Sequence, residues 1–302
     1  FGLFHQVARA SGGRVLFSTG VGEDPGSGKM MAAAMDMMRS DGADVTAMCI
    51  PRASGFVVGL CNELLFRGRS WEELRAMAFP ERLEAINDPA FAARLIADGE
   101  RPITPVEWVF PLGSATPQYT GGPDESLAAV AAAAGKRPVE TYLRTLRDTD
   151  GAALFTVQFF NRSIEALEDL LTSEWVLPGL GDAGAHVGQI MDAGWTTFVL
   201  RYWNRERGVY SIEEAVRRMS SAPAEVVGLT DRGTLEVGKR ADVNVIDHVN
   251  LAEKTPEFVH DFPGGAGRFV QRAEGYRATI CNGEIVLEHD QHTGTRPGRI
   301  LR

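Results

Sequence analysis

Cysteine is scarce in this chain, and the few present do not cluster. Cys49, Cys61 and Cys281 are the only three in 302 residues. No pair has metal-knuckle spacing and nothing suggests a disulfide framework, so a reducing, cytoplasmic setting is expected. Long apolar runs are missing too: no stretch of about 18 apolar residues occurs, so no membrane-spanning helix is implied and no membrane partner is expected. Positive charge is in deficit, with 31 Lys and Arg against 40 Asp and Glu and a formal charge of −9. A nucleic-acid partner is disfavoured, because phosphate binding wants a basic face. The six histidines form neither HxH nor HExxH, so no stand-alone metal motif is visible. There is no initiating Met and no signal peptide; Phe1-Gly2-Leu3-Phe4-His5 already carries a helical pattern. That opening predicts a fragment or a processed chain.

What is present is ordinary globular material, 44% hydrophobic and 24% charged, enough for a sizeable core. Phe4 to Ala10 reads as a helix closed by Ser11-Gly12-Gly13. A strand over 14–19, a Met- and Ala-rich helix over 29–39 and a strand over 44–50 form a βαβ unit, which demands a parallel sheet. Residues 51–150 then read as a mostly helical insertion. Its helices are expected over 71–78, 80–86, 89–97, 125–133 and 138–147, around a proline-rich link from Pro102 to Pro123. Nothing there alternates like a sheet, and elaborations of this kind form lids over active sites. The α/β rhythm resumes with a strand over 153–160, a helix over 164–171 and a strand running into Leu177. Ser211 to Met219 is an amphipathic helix with Ser211 and Glu214 as a capping box. From Gly233 the apolar period becomes two, and Asn282-Gly283 reads as a two-residue hairpin turn inside Tyr276 to Leu287. The expected units are therefore 1–50, 51–150, 151–232 and a small β unit over 233–302.

The stretch Leu177-Pro178-Gly179-Leu180-Gly181-Asp182-Ala183-Gly184-Ala185-His186-Val187-Gly188 carries most of the chemical information. Glycines let the backbone turn sharply and approach a ligand closely. An Asp at the carboxyl end of a parallel strand stands where α/β folds place their chemistry. Asp182 is the candidate general base on a metal-bound water, and a candidate metal ligand. The rival reading makes Asp182 a helix cap and His186 a loop or core histidine. The same residues formally match GxGxxG, but a carboxylate inside the loop would repel a pyrophosphate. Gly22 to Lys29 imitates a phosphate-binding loop, yet its glycines are misplaced and Met30 stands where Ser or Thr would hold magnesium.

The block around Asp182, followed by Tyr202-Trp203-Asn204-Arg205-Glu206-Arg207-Gly208, by Ser211 to Met219 and by Gly233-x-Leu-x-x-Gly238-x-x-Ala241-Asp242-Val243-x-Val-x-Asp247, resembles the C-terminal half of the amidohydrolase superfamily. The resemblance is to its N-acyl-D-amino-acid deacylase (D-aminoacylase) branch. It is specific over 151–302 and weak over 1–50. It implies an α/β fold: the C-terminal part of a (β/α)8 TIM-like barrel with the insertion and part of a small β-sandwich. The strands at 14–19, 44–50 and 176–182 would be barrel strands six, seven and eight. The reaction implied is metal-assisted hydrolysis of a small N-acyl substrate, a non-peptide amide, with zinc or another divalent metal as cofactor and Asp182 as base. His186, Gly184, Arg52 and Asn161 are the expected substrate contacts, Arg52 for an anionic group. The sequence departs from the family in three places. Ser18-Thr19 stand where a metal-binding His is usual, Asn161 where many relatives have His, and no Arg follows Asp182 at the spacing of the family's carboxylate clamp. Completion of the site by a missing N-terminal half, by a partner chain or in a homo-oligomer is expected. Two rivals remain beside the hydrolase: a non-catalytic binding or scaffold subunit, and a nucleotide-dependent oxidoreductase.

Overall fold

The computed structural model describes residues 2–179, 181 and 184–300. Helix α1 (Gly2–Ser11) leads into strand β1 (Val15–Ser18), helix α2 (Ser27–Ser40) and strand β2 (Val45–Cys49). β1 and β2 pair in parallel from Val15↔Val45 to Ser18↔Met48, as the βαβ pattern requires.

Directly after Arg52 the chain leaves this layer through strand β3 (Ser54–Gly59). A two-residue ribbon, β4 (Phe66–Arg67) with β5 (Arg101–Pro102), encloses helices α3 (Arg69–Arg75), α4 (Phe79–Asn87) and α5 (Pro89–Asp98). Strand β6 (Val109–Pro111), helices α6 (Leu127–Ala133) and α7 (Pro138–Asp148) and strand β7 (Leu154–Phe160) complete the excursion. Local chemistry starts these helices. The Asp88 carboxylate accepts from Phe91 N at 2.7 Å ahead of Pro89, and the Ser126 hydroxyl accepts from Ala129 N at 3.2 Å. Rings close the interior: Tyr142 lies 4.8 Å from Phe155 and 5.6 Å from Phe66, which is 5.4 Å from Trp71.

All five expected helices form, but the insertion also contains a sheet that the sequence pattern concealed. β3, β7 and β6 pair antiparallel in the order β3-β7-β6. The strand expected over 153–160 therefore pairs with β3 and β6 and not with the parallel strands, so the excursion from the parallel layer runs from Ser54 to Phe160. The reason is burial. Val57 and Val58, adjacent in β3 and so on opposite faces, are both buried, and β3 therefore shows no apolar–polar alternation.

Helix α8 (Ile164–Leu171), capped by Ser163 through Ala166 N at 3.2 Å, carries the chain back to strand β8 (Val176–Pro178). β8 joins β2 in parallel, Ala47↔Val176 to Cys49↔Pro178, giving the order β1-β2-β8. α2 and α8 pack so closely that a Cβ on Gly28 would lie 1.8 Å from Ala166 O. Helix α9 (Trp195–Phe198) continues as a π-helical stretch, Val199–Glu206, and α10 (Ile212–Met219) and α11 (Ser221–Val226) follow. Ser211 does cap α10, accepting from Glu214 N at 3.2 Å. The expected box is only half made, because the Glu214 carboxylate turns to Arg217 and Arg218 instead. Arg218 donates to the carbonyls of Leu171, Ser173 and Val176, binding α10 to the entry of β8.

The tail forms a β unit from β9 (Val243–Ile246), β10 (Ala252–Glu253), β11 (Glu257–Val259), β12 (Arg268–Val270), β13 (Ala273–Glu274), β14 (Tyr276–Cys281), β15 (Glu284–Glu288) and β16 (Gln291–His292). Its largest sheet runs β16-β15-β14-β9. The expected turn is present, with φ +50° at Asn282 and +82° at Gly283. The period-two run from Gly233 yields a strand only over Val243–Ile246. Before it, backbone bonds from Lys239 N to Glu236 O and Arg240 N to Asp231 O curl the chain into turns.

Candidate active site

The carboxyl ends of β1, β2 and β8 converge. Thr19 N donates to Met48 O and Gly179 N to Cys49 O, both at 2.9 Å, so the three strands deliver their following loops to one rim. Two glycines there let neighbouring side chains approach the backbone closely. A Cβ on Gly179 would lie 2.7 Å from Met48 Cε, and one on Gly181 would lie 1.9 Å from Asp192 Oδ2 and 2.5 Å from Ile50 Cδ1. Asp182 itself lies outside the described residues. Gly184, with φ +96°, and His186, with φ +46°, are exposed on the next turn; the His186 carbonyl accepts from Gln189 N at 2.7 Å and Ile190 N at 3.0 Å. Asp192, which sequence reasoning passed over, is buried beside Gly181, and Ser54 Oγ donates to its Oδ2 at 3.4 Å. No spacing rule links Asp192 to the glycine loop; only the fold does.

Arg52 is 1% exposed. Its Nη2 donates to Met191 O at 2.7 Å, and its guanidinium carbon sits 3.5 Å from the ring centre of Tyr119. Nε and Nη1 are buried without a hydrogen-bond partner among the described residues. Burying a charge with unsatisfied donors is costly unless an anion completes it. The Arg52 backbone is held as well, since Trp203 Nε1 donates to Pro51 O at 2.6 Å and Asn161 Nδ2 to Arg52 O at 3.3 Å. Tyr119, in the proline-rich link, was not singled out from sequence. Its hydroxyl accepts from Gln271 Nε2 at 3.0 Å, and burial pushes its pKa up, partly offset by Arg52.

Asn161 is buried at φ +59°, immediately after β7. Its Oδ1 accepts from Val21 N at 2.9 Å and its Nδ2 donates to Ile50 O at 2.9 Å as well as to Arg52 O. The side chain braces the loops after β1 and β2, with its amide committed to backbone. Cys49 adjoins this brace; burial, the dominant cause, pushes its thiol up to about 12, so the sulfur stays protonated.

Among the described residues no three His, Cys, Asp or Glu side chains come together to hold a metal ion. Ser18 and Thr19 at the end of β1 offer only hydroxyls. The donor set described here does not fit a zinc site.

Residues 60–287, well over half of the chain, match the model of the Amidohydrolase family (Amidohydro_3). A D-aminoacylase of Alcaligenes xylosoxydans xylosoxydans is 34% identical over 109 residues, covering 35% of this chain and 21% of that protein. An uncharacterized protein of Mycobacterium bovis is 31% identical over 206 residues, covering 60% of this chain and 33% of that one. Among solved structures, an N-acyl-D-glutamate deacylase from Bordetella bronchiseptica, complexed with zinc and a phosphonate mimic of the tetrahedral intermediate, superimposes with TM-score 0.53 at 21% identity over 99% of this chain. A D-aminoacylase variant in complex with CuCl2 gives TM-score 0.54 at 19% identity. The chain spans about half the length of these two solved proteins, 52% of each. With three quarters of its length under one family model and a fold shared with D-aminoacylase, this chain belongs to the amidohydrolase family.

Proposed function

We propose that the full-length protein containing this chain hydrolyses the amide of an N-acyl amino acid. The parallel strands β1, β2 and β8 are read as the last three strands of a (β/α)8 barrel, the excursion from Ser54 to Phe160 as its lid and the tail as part of a β-sandwich. Asp182, on the loop after β8, accepts the proton of the attacking water and returns it to the departing amine. Water adds to the carbonyl carbon, the C–N bond breaks, and a carboxylate and an amine leave. Arg52 binds an anionic group of the substrate, Gly184 and His186 line the rim, and Asn161 holds the Arg52 backbone in place. Zinc or another divalent metal is expected from resemblance to relatives solved with zinc and copper. The described residues supply no ligand set for it, so no step here runs through a metal. The remaining strands come from chain outside these residues, from a partner chain or from a second copy. Within the order β1-β2-β8, β1 has no further neighbour among the described residues, and its Leu16 is 42% exposed. A cytoplasmic setting belongs to the same reading.

One observation carries the proposal: a buried Arg52 with two unpaired nitrogens stands at the strand rim that also bears Gly179 and Gly181, the glycines that precede Asp182 in sequence. A scaffold role does not account for that charge at that place, and the family match over residues 60–287 disfavours a nucleotide-dependent oxidoreductase. The test is Asp182→Asn in the full-length protein, assayed on a panel of N-acyl amino acids. An amide cannot take the water's proton, so kcat should fall by roughly 10²–10⁴. Turnover within a factor of two of the parent would end the assignment.

A further inference from the structure

We infer that Tyr119 is a positioning residue: its ring holds the Arg52 guanidinium in the orientation that receives the substrate's anionic group. The inference rests on the reading of Arg52 as an anion receptor.

Three parts of the chain meet at this ring. Arg52 follows β2, Tyr119 belongs to the insertion and Gln271 to the β unit. The guanidinium lies 3.5 Å from the ring centre, inside the range of a cation–π contact, and Tyr119 is 3% exposed, so the contact is desolvated. The ring is itself pinned. Gln271 Nε2 donates to its hydroxyl at 3.0 Å and also to Lys254 O at 3.0 Å, and the Phe198 ring lies 6.3 Å away in a T-shaped pairing. With one guanidinium face covered by the ring and Nη2 drawn to Met191 O, Arg52 keeps few orientations. Nε and Nη1 are left without a hydrogen-bond partner among the described residues. An anion gains most from a cation that is already oriented and dry, because no side-chain freedom is lost on binding. The same contact makes anion recognition depend on the insertion being seated, since Tyr119 arrives only with residues of the insertion.

The test uses the full-length protein and two matched substrates, an N-acyl amino acid and its carboxamide, which lacks the negative charge. Tyr119→Leu removes the π face. KM for the acid should rise about ten-fold with kcat nearly unchanged, while KM for the carboxamide stays within about two-fold. Tyr119→Phe keeps the face and should restore KM for the acid to within about two-fold of the parent. Should Tyr119→Leu fail to fold, phenylalanines bearing one to three ring fluorines at position 119 preserve the shape while draining the π face; KM for the acid should climb with each fluorine. Equal effects of Tyr119→Leu on both substrates, or a flat fluorine series, would overturn the inference. Arg52→Met separates the two readings. If it leaves KM for the acid unchanged, Arg52 is no anion receptor and both fall. If it raises KM while the position 119 series is flat, only the role of Tyr119 falls.

Discussion

The insertion and the parallel layer it springs from are built on opposite terms. Between β3 and β7 the chain makes its own sheet, wraps it with five helices and buries Phe66, Trp71, Tyr142 and Phe155 in a core of its own. The three parallel strands are covered by α2 and α8 on one side. The layer nonetheless leaves Leu16 in β1, and Phe4 and Val7 in α1, substantially exposed. A parallel sheet is normally buried on both faces. The contrast teaches that the excursion carries most of its large side chains in a second apolar cluster of its own, whereas the layer leaves apolar side chains exposed along its β1 edge.

That contrast breaks most directly at Trp71, whose indole fills the insertion core and donates to Leu95 O at 2.9 Å. Trp71→Ala should cost about 3–5 kcal/mol. Hydrogen exchange should show the loss confined to residues 54–160, with the amides of Val45–Cys49 still protected. Equal loss in both regions would mean they unfold as one unit. The converse probe is Gly28→Ala, whose methyl would collide with Ala166 O at 1.8 Å. It should cost about 1–3 kcal/mol by prising α2 from α8, and it should spare the insertion. The smallest effect concerns acid. Hydrogen bonding to Arg217, aided by Arg218, holds the Glu214 carboxyl at about 2, below its ordinary 4.5. A carboxyl depressed on folding adds stability that is complete above its unfolded pKa. That contribution is lost as pH falls from about 4.5 through about 2. Below that range the Arg218 clamp on the entry to β8 should loosen, read as faster exchange at Val176; Glu214→Gln should abolish that pH dependence.

Helices were legible in this sequence because their signals are local. Asp88-Pro89, Ser126, Ser163 and Ser211 each announce a start within three residues of the bond that makes it. β3 was not legible, since a strand buried on both faces has no period to read. The site divides in the same way. Arg52 and the Asp182 loop stand out because each follows an apolar strand. Tyr119 and Asp192 do not, because one sits in a proline-rich link and the other lies ten residues past Asp182 in sequence. Nothing nearby in sequence says what they touch. Asn161 stood out by position, and the fold gives its amide to backbone on both sides.

The insertion begins and ends at a single pair of neighbours. Ser54 lies opposite Phe160 in the antiparallel ladder, so the chain departs from the layer and returns to it across one strand spacing, about 5 Å. Arg52 stands just before the departure and Asn161 just after the return. Helices α3 to α5 can be lengthened, trimmed or exchanged while the strand ends stay where they are, provided Tyr119 keeps its place over Arg52. Such a neck is a graft point: one framework can acquire a new folded module in a single event, and a designer can transplant Ser54 to Phe160 between relatives without cutting the parallel layer.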